Sequence, residues 1–119
     1  MKEIIVKSKS YAFAVRIVKL YQFLSGEKKE FVLSKQLLRC GTSVGALVRE
    51  AEYAESRSDF KHKLSIAQKE INETIYWLDL LKDTKYLNLD QYESIQKDAI
   101  EIIKIITSII KTLKSAANN

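Results

Sequence analysis

Apolar positions recur three and four residues apart along nearly the whole chain, the spacing of one face of an α-helix. Phe13, Ile17, Leu20, Tyr21 and Leu24 predict a first helix over Ser10 to Leu24, with a start that can reach back to Ile4. The stretch SGEKK closes it, with Gly26 at the C′ position just past its end. A second helix opens at Ser34 as N-cap, carries Leu37, Cys40, Val44, Val48 and Ala51 on one stripe, and ends near Glu55. The polar ESRSD has room only for a tight reversal, and Ser56 or Ser58 caps the third helix. Phe60, Leu64, Ala67, Ile71, Ile75, Leu78 and Leu81 sustain that helix for about six turns, up to KDTKYLNLD. In the fourth, Asp90 as N-cap and Glu93 three positions on read as a capping box. Its stripe is Ile95, Ala99, Ile102, Ile106, Ile109 and Leu113, widened by Ile103 and Ile110, and the tail SAANN is expected to fray.

Four long helices with short connections predict an all-α protein: an antiparallel up-down-up-down four-helix bundle, one domain over residues 1–119. The β-branched run IIKIITSII has strand propensity, but its period and the length of its segment favour helix. The apolar face of the fourth helix is wider than the stripe of a little over about 100° that a bundle helix needs. Two readings stay open: a contact with another subunit, or a crowded central place within one bundle.

The second helix carries more than its apolar stripe. Gln36, Arg39, Ser43, Ala46 and Glu50 repeat at helical spacing on a separate, polar face. Arg39 and Glu50 lie about three turns apart and cannot pair with each other. Candidate partners for Arg39 are Glu70 and Glu73 on the third helix, or residues of a neighbouring subunit. Gly41 and Gly45 occupy another flank, although an interior glycine costs a helix roughly 1 kcal/mol relative to alanine. Small residues four apart let a second helix backbone come close, and that contact would offset the cost.

Composition changes this picture little. The absence of proline suits long uninterrupted helices. The single cysteine, Cys40, allows no internal disulfide and fits a reducing compartment. Arg16 and Lys19 interrupt the apolar N-terminal run, and Glu101, Lys104 and Lys111 the C-terminal one. Neither reads as a signal or membrane segment, so the expected location is the cytoplasm. The net charge is +5, and residues 1–30 supply most of it, with seven basic side chains against three glutamates. Such a bias permits nucleic acid or an acidic partner without requiring either.

Catalytic chemistry finds little support. Asp59 and His62 at i, i+3 form half of a carboxylate–histidine metal motif, but bundle metal sites need two, and there is no second histidine. Cys40 lies on an apolar stripe with no histidine near it in sequence and reads as a small core hydrophobe. Gly41 and Gly45 sit inside a helical pattern, not in a phosphate-binding loop, and Tyr76 and Trp77 read as core or interface. No metal, cofactor or catalytic residue is expected.

The segment Leu33 to Leu81 resembles the four-helix-bundle family first noted in intervening sequences of bacterial 23S ribosomal RNA genes. Gln36, Arg39, Ser43, Val44, Ala46, Val48, Glu50, Ser58, Phe60 and Ala67 carry the resemblance over about half the chain, and KSYAFAVRIVKLY is an acceptable first helix. Leu47 departs from the pattern, which commonly has asparagine there. The resemblance implies an antiparallel bundle assembling as a ring-shaped homopentamer. One relative, the accessory variability protein of diversity-generating retroelements, forms a basic pentameric barrel that binds reverse transcriptase and nucleic acid. On this reading Gln36, Arg39, Gly41, Ser43, Gly45, Glu50 and Phe60 serve packing and assembly.

The sequence thus predicts a non-enzymatic, homo-oligomeric bundle that binds RNA or DNA, or a reverse transcriptase or other nucleic-acid enzyme, through basic surface. Candidate phosphate contacts are Lys7, Lys9, Arg16, Lys19, Lys28, Lys29, Arg57, Lys61 and Lys63. Five copies would carry about +25 and gain affinity by counterion release. The alternative is a protein-interaction scaffold with no direct nucleic-acid role.

Overall fold

The computed structural model describes residues 1–118, and side-chain surroundings for residues 1–116. Four α-helices account for almost all of it: α1 Lys2–Gly26, α2 Leu33–Glu52, α3 Arg57–Asp83 and α4 Leu89–Asn118. There is no strand among the described residues. Each helix lies beside two others, α1 beside α2 and α4, α3 beside α2 and α4. Contacts between neighbours run in opposite senses along the chain. Lys7 meets Glu52 while Ile17 meets Gly41, and Gln68 meets Thr107 while Asp79 meets Tyr92. The result is a rod of 51 × 22 × 20 Å.

The inner stripes follow the sequence pattern closely. Phe13, Ile17, Leu24, Leu37, Cys40, Val44, Leu64, Ala67, Ile71, Leu78, Leu81, Ala99, Ile102 and Ile106 are all within 1% of full burial. Ile75 is only half-buried, and Thr74 takes the inner place beside it. The Thr74 hydroxyl donates to the Glu70 carbonyl at 2.8 Å, which satisfies a buried polar group within its own helix. The extra isoleucines of α4 are covered inside the chain: Ile110 is 6% exposed, and Ile103 packs partly buried on the core. For these side chains the crowded position within one bundle is the arrangement found.

Helix ends depart from expectation more than helix faces do. α1 begins at Lys2, eight residues before Ser10, and α2 stops at Glu52 instead of Glu55. Gly26 is still helical, and the left-handed residue of that turn is Lys29, with φ 56°. The predicted cap Ser34 lies inside α2, because Glu30 does the capping. Its carboxylate accepts the backbone N–H of Val32 at 3.1 Å, Leu33 at 3.0 Å and Ser34 at 2.6 Å, while the Ser34 hydroxyl donates to the Glu30 carbonyl at 2.7 Å. Burial pushes the Glu30 carboxyl up, but these donors outweigh it and hold the group below its usual range. One carboxylate thus satisfies most of the orphan donors of a helix start.

Of the two serines offered for α3, Ser56 is the cap and accepts from the Asp59 N–H at 3.0 Å. The capping box of α4 is Asn88 and Gln91, which exchange N–H bonds of 2.8 and 3.0 Å, and not Asp90 and Glu93. The pattern of the box was right, but its register was two residues off. α4 continues through Asn118, so residues Ser115 to Asn118 of the tail are helical, and Asn119 lies outside the described residues.

Candidate functional site

The two interior glycines mark the tightest seam of the molecule. A Cβ on Gly41 would lie 2.9 Å from Cγ1 and Cγ2 of Ile17, which is fully buried. A Cβ on Gly45 would lie 3.1 Å from the carbonyl oxygen of Ser10. The small residues let α1 approach α2, as their spacing suggested, and the close packing offsets their poor helix propensity.

On the other side of α2, the polar stripe joins α3. Arg39 reaches Glu70 at 3.3 Å and also bonds Glu73, while its Nε donates to the Gln36 side chain at 3.4 Å. The Trp77 indole N–H donates to Glu73 at 2.9 Å, and Tyr76 stands edge-on to that ring at 5.0 Å. Glu50 pairs with Lys63 at 3.3 Å. Ser43 donates to the Cys40 carbonyl at 2.8 Å, and Leu47 packs partly buried on the core. These contacts form within one chain, and those of Arg39 and Glu50 cross-link α2 to α3. Exposed pairs of this kind contribute about 0–1 kcal/mol each.

The remaining candidates for chemistry fall apart spatially. Cys40 is fully buried, with its thiol pushed up by burial, away from the reactive thiolate. His62 is exposed on the second turn of α3. No group of three or more His, Cys, Asp or Glu side chains among the described residues is placed to hold a metal ion.

The nine basic candidates divide in two. Lys7 pairs with Glu52 at 2.9 Å, Lys9 with Glu101 at 2.9 Å, Arg16 with Asp98 at 2.6 Å, and Lys63 with Glu50. These four tie neighbouring helices together. Lys19, Lys28, Lys29, Arg57 and Lys61 have no ion-pair partner among the described residues. Lys28 and Lys29 lie at the α1–α2 turn, whereas Arg57 and Lys61 follow the α2–α3 turn at the other end of α2, so the five do not form one patch. A smaller group does converge. Arg16, Lys19, Leu20, Phe23, Asp90 and Ile95 line an open groove of about 490 Å³ between α1 and α4, and the Lys28 ammonium lies 5.8 Å from the Phe23 ring centroid.

The wide apolar stripe of α4 had left a subunit contact open, but a row of exposed apolar side chains lies on α1. Ile4 is 70% exposed and Tyr11 60%, and Val15 and Val18 are exposed on the same face. That face starts beside a cavity of about 110 Å³ where Ile4, Val6, Val48, Ala51, Phe60 and Leu64 meet. The signal was legible as apolar residues on both sides of α1, the pattern of a helix buried all round.

Over residues 2–108 the chain matches the family described as 23S rRNA-intervening sequence protein. The chain belongs to that family. A solved structure from Bacteroides thetaiotaomicron VPI-5482, described as a protein with unknown function from the S23 ribosomal protein family, is 62% identical. The match covers 93% of this chain and 99% of that one, with a TM-score of 0.92. No curated protein matches the chain. In this member of the 23S rRNA-intervening sequence protein family, the motif residues are therefore parts of two helix seams. Gly41 and Gly45 serve the α1–α2 seam, and Gln36, Arg39 and Glu50 the α2–α3 seam.

Among the described residues no helix is long and apolar enough to cross a membrane.

Proposed function

We propose that this chain is a cytoplasmic, non-catalytic binding protein: an up-down-up-down antiparallel bundle that assembles with copies of itself, five in the family-based reading, and engages nucleic acid through basic surface. The observation that carries the binding part is the α1–α4 groove. Lys19 and Arg16 line it beside Asp90, over an apolar floor of Leu20, Phe23 and Ile95, and the Lys28 ammonium stands next to it over the Phe23 ring. Cationic edges beside an aromatic ring suit a flexible, single-stranded backbone, which such surfaces hold through phosphate contacts and stacking. Asp98 neutralises Arg16, so Lys19 and Lys28 supply the attraction. No element that could read base edges borders the groove, and the binding is shape- and charge-based. The experiment is titration of the full-length protein with single-stranded and structured RNA at low and moderate salt. Binding that weakens with salt, and falls in Lys19→Glu and Lys28→Glu, supports the reading. Undetectable binding at low salt, or binding indifferent to both substitutions, removes it.

A second reading is a protein-interaction scaffold that serves a reverse transcriptase or other nucleic-acid enzyme without touching its nucleic acid. The exposed, uncharged face of α1 favours it, since that face offers contact area and no phosphate partner. Loss of RNA binding in the groove variants with assembly intact separates the two.

A further inference from the structure

All four helices meet around one void. The cavity of about 110 Å³ is lined by Val6 of α1, Val48 and Ala51 of α2, Phe60 and Leu64 of α3, and Ile109 of α4. It therefore continues the core and is not a dimple between two helices. Val6, Val48, Ala51, Leu64 and Ile109 are no more than 6% exposed. Packed interiors keep few voids larger than one water molecule. This one has room for several.

Short side chains make the void. At this end of the bundle the α1–α2 seam contributes Val6, Val48 and Ala51, whereas at the opposite end the same two helices bury Leu24 and Leu37. Water does not suit the space, because a buried water needs two to four polar partners. The polar residues at the cavity are Glu3, Lys7 and Glu52. The Lys7 ammonium holds both carboxylate oxygens of Glu52, at 2.9 and 3.0 Å, and Glu3 is exposed to solvent. No buried side-chain nitrogen or oxygen among the described residues lacks a partner. The walls thus offer contact area but no spare donor, acceptor or buried charge.

We propose that this cavity binds a small, uncharged, apolar molecule no larger than a single six-membered ring. Size sets the limit: an apolar protein cavity of about 150 Å³ stays dry and takes up benzene or xenon, and this one is somewhat smaller. Chemistry sets the class. A charged ligand would give up its hydration and find the one cation at the mouth already held by Glu52. The burial of the walls favours a whole molecule over the face of a partner helix, which would rest above them. The way in runs past Ile4, which is 70% exposed on the first turn of α1, a helix start with no side-chain cap. The site is independent of the α1–α4 groove, whose Phe23 lies at the other end of α1.

The test is thermal melting of the full-length chain with benzene or benzoate, together with methyl NMR of the wild type under xenon pressure. Millimolar benzene should raise the wild-type midpoint by a few degrees, and benzoate should leave it unchanged. Xenon should shift the methyl signals of Val6, Val48, Leu64 and Ile109 and few others. Ala51→Leu, and the milder Val48→Leu, fill the void, and each should melt no lower than the wild type and lose the benzene response. If Ala51→Leu fails to fold, Val48→Leu and the wild-type xenon shifts decide. A wild type that gains nothing from benzene and shows no xenon shifts at these methyls overturns the site. A benzene response that survives both substitutions also overturns it, by placing the binding elsewhere. Equal stabilisation by benzoate overturns the uncharged class.

Discussion

α1 and α4 are neighbours in the bundle, and both are rich in apolar residues, yet they spend them differently. α4 concentrates Ile95, Ala99, Ile102, Ile106 and Ile109 on one side, all nearly buried, and sets Glu93, Lys97, Glu101, Lys104 and Lys111 in solvent. α1 buries Val6, Phe13, Ile17 and Leu24 on one side and leaves Ile4, Tyr11, Val15 and Val18 bare on the other. The width of an apolar stripe therefore says little about whether a helix has spare surface. What tells is the far side of the same helix: α4 is charged there, whereas α1 carries a row of apolar side chains open to contact.

The sharpest way to break this contrast is to truncate matching side chains on the two helices. Ile106→Ala in α4 should cost about 2–5 kcal/mol, the range for a fully buried aliphatic that leaves a cavity, while Val15→Ala in α1 should change the stability of the single chain by less than about 0.5 kcal/mol. Urea unfolding of the dissociated protein measures both, and similar losses would show that the α1 face is already covered. The next effect concerns how closely α1 can lie on α2. Gly45→Val should destabilise by about 2–3 kcal/mol, because it drives a branched side chain at the Ser10 carbonyl, and Gly45→Ala by less, since better helix propensity returns about 1 kcal/mol. Thermal melts of the pair would rank them, and a neutral valine would remove the close seam.

A third test compares how the two helices are connected. Glu30 caps the helix that follows α1, and Glu30→Ala should cost about 2 kcal/mol, within the range for a capping side chain. Its carboxyl is held below the usual value in the folded chain. Its contribution is therefore complete above about pH 4.5 and is lost as pH falls through the lowered value. Acid titration of stability should be shallower in Glu30→Gln than in wild type. At the start of α4 the linkage has the opposite sign. Burial, with the hydrogen bond and charge of Asp79, pushes Tyr92 up to about 12, so its contribution is complete below pH 10 and disappears as pH rises through about 12. Tyr92→Phe should flatten that alkaline limb. The smallest effect lies between the helices themselves. Arg16→Ala, which removes a half-exposed pair with Asp98, should cost less than about 1 kcal/mol and less still in high salt.

The fold was largely legible because helix period and burial are the same information: most residues predicted for the inner stripes are found inside, while Leu20, Tyr21, Phe60, Ile75, Ile103 and Leu113 are only partly buried. The link of Arg39 to Glu70 and Glu73 was one of two readings the sequence left open, since Glu50 lies too far along the same helix to pair with it. Ends were harder. Ser34 and Asp90 have the chemistry of caps, but Glu30 and Asn88 hold the role, because capping depends on the path of the turn, with Lys29 left-handed ahead of the α2 start. The basic candidates were least legible. A lysine's charge is local, but whether it is spent depends on which acidic residue faces it, and Glu52, Glu101 and Asp98 come from distant parts of the chain.

The sequence by itself determined four helices, their inner faces and the glycine-lined flank of α2, because spacing and side-chain size act within a few turns. Only the tertiary structure decided which helix keeps an uncovered face, which cations remain unpaired and where they converge. Those properties belong to pairs of helices, and no single stretch of sequence specifies what will stand opposite it.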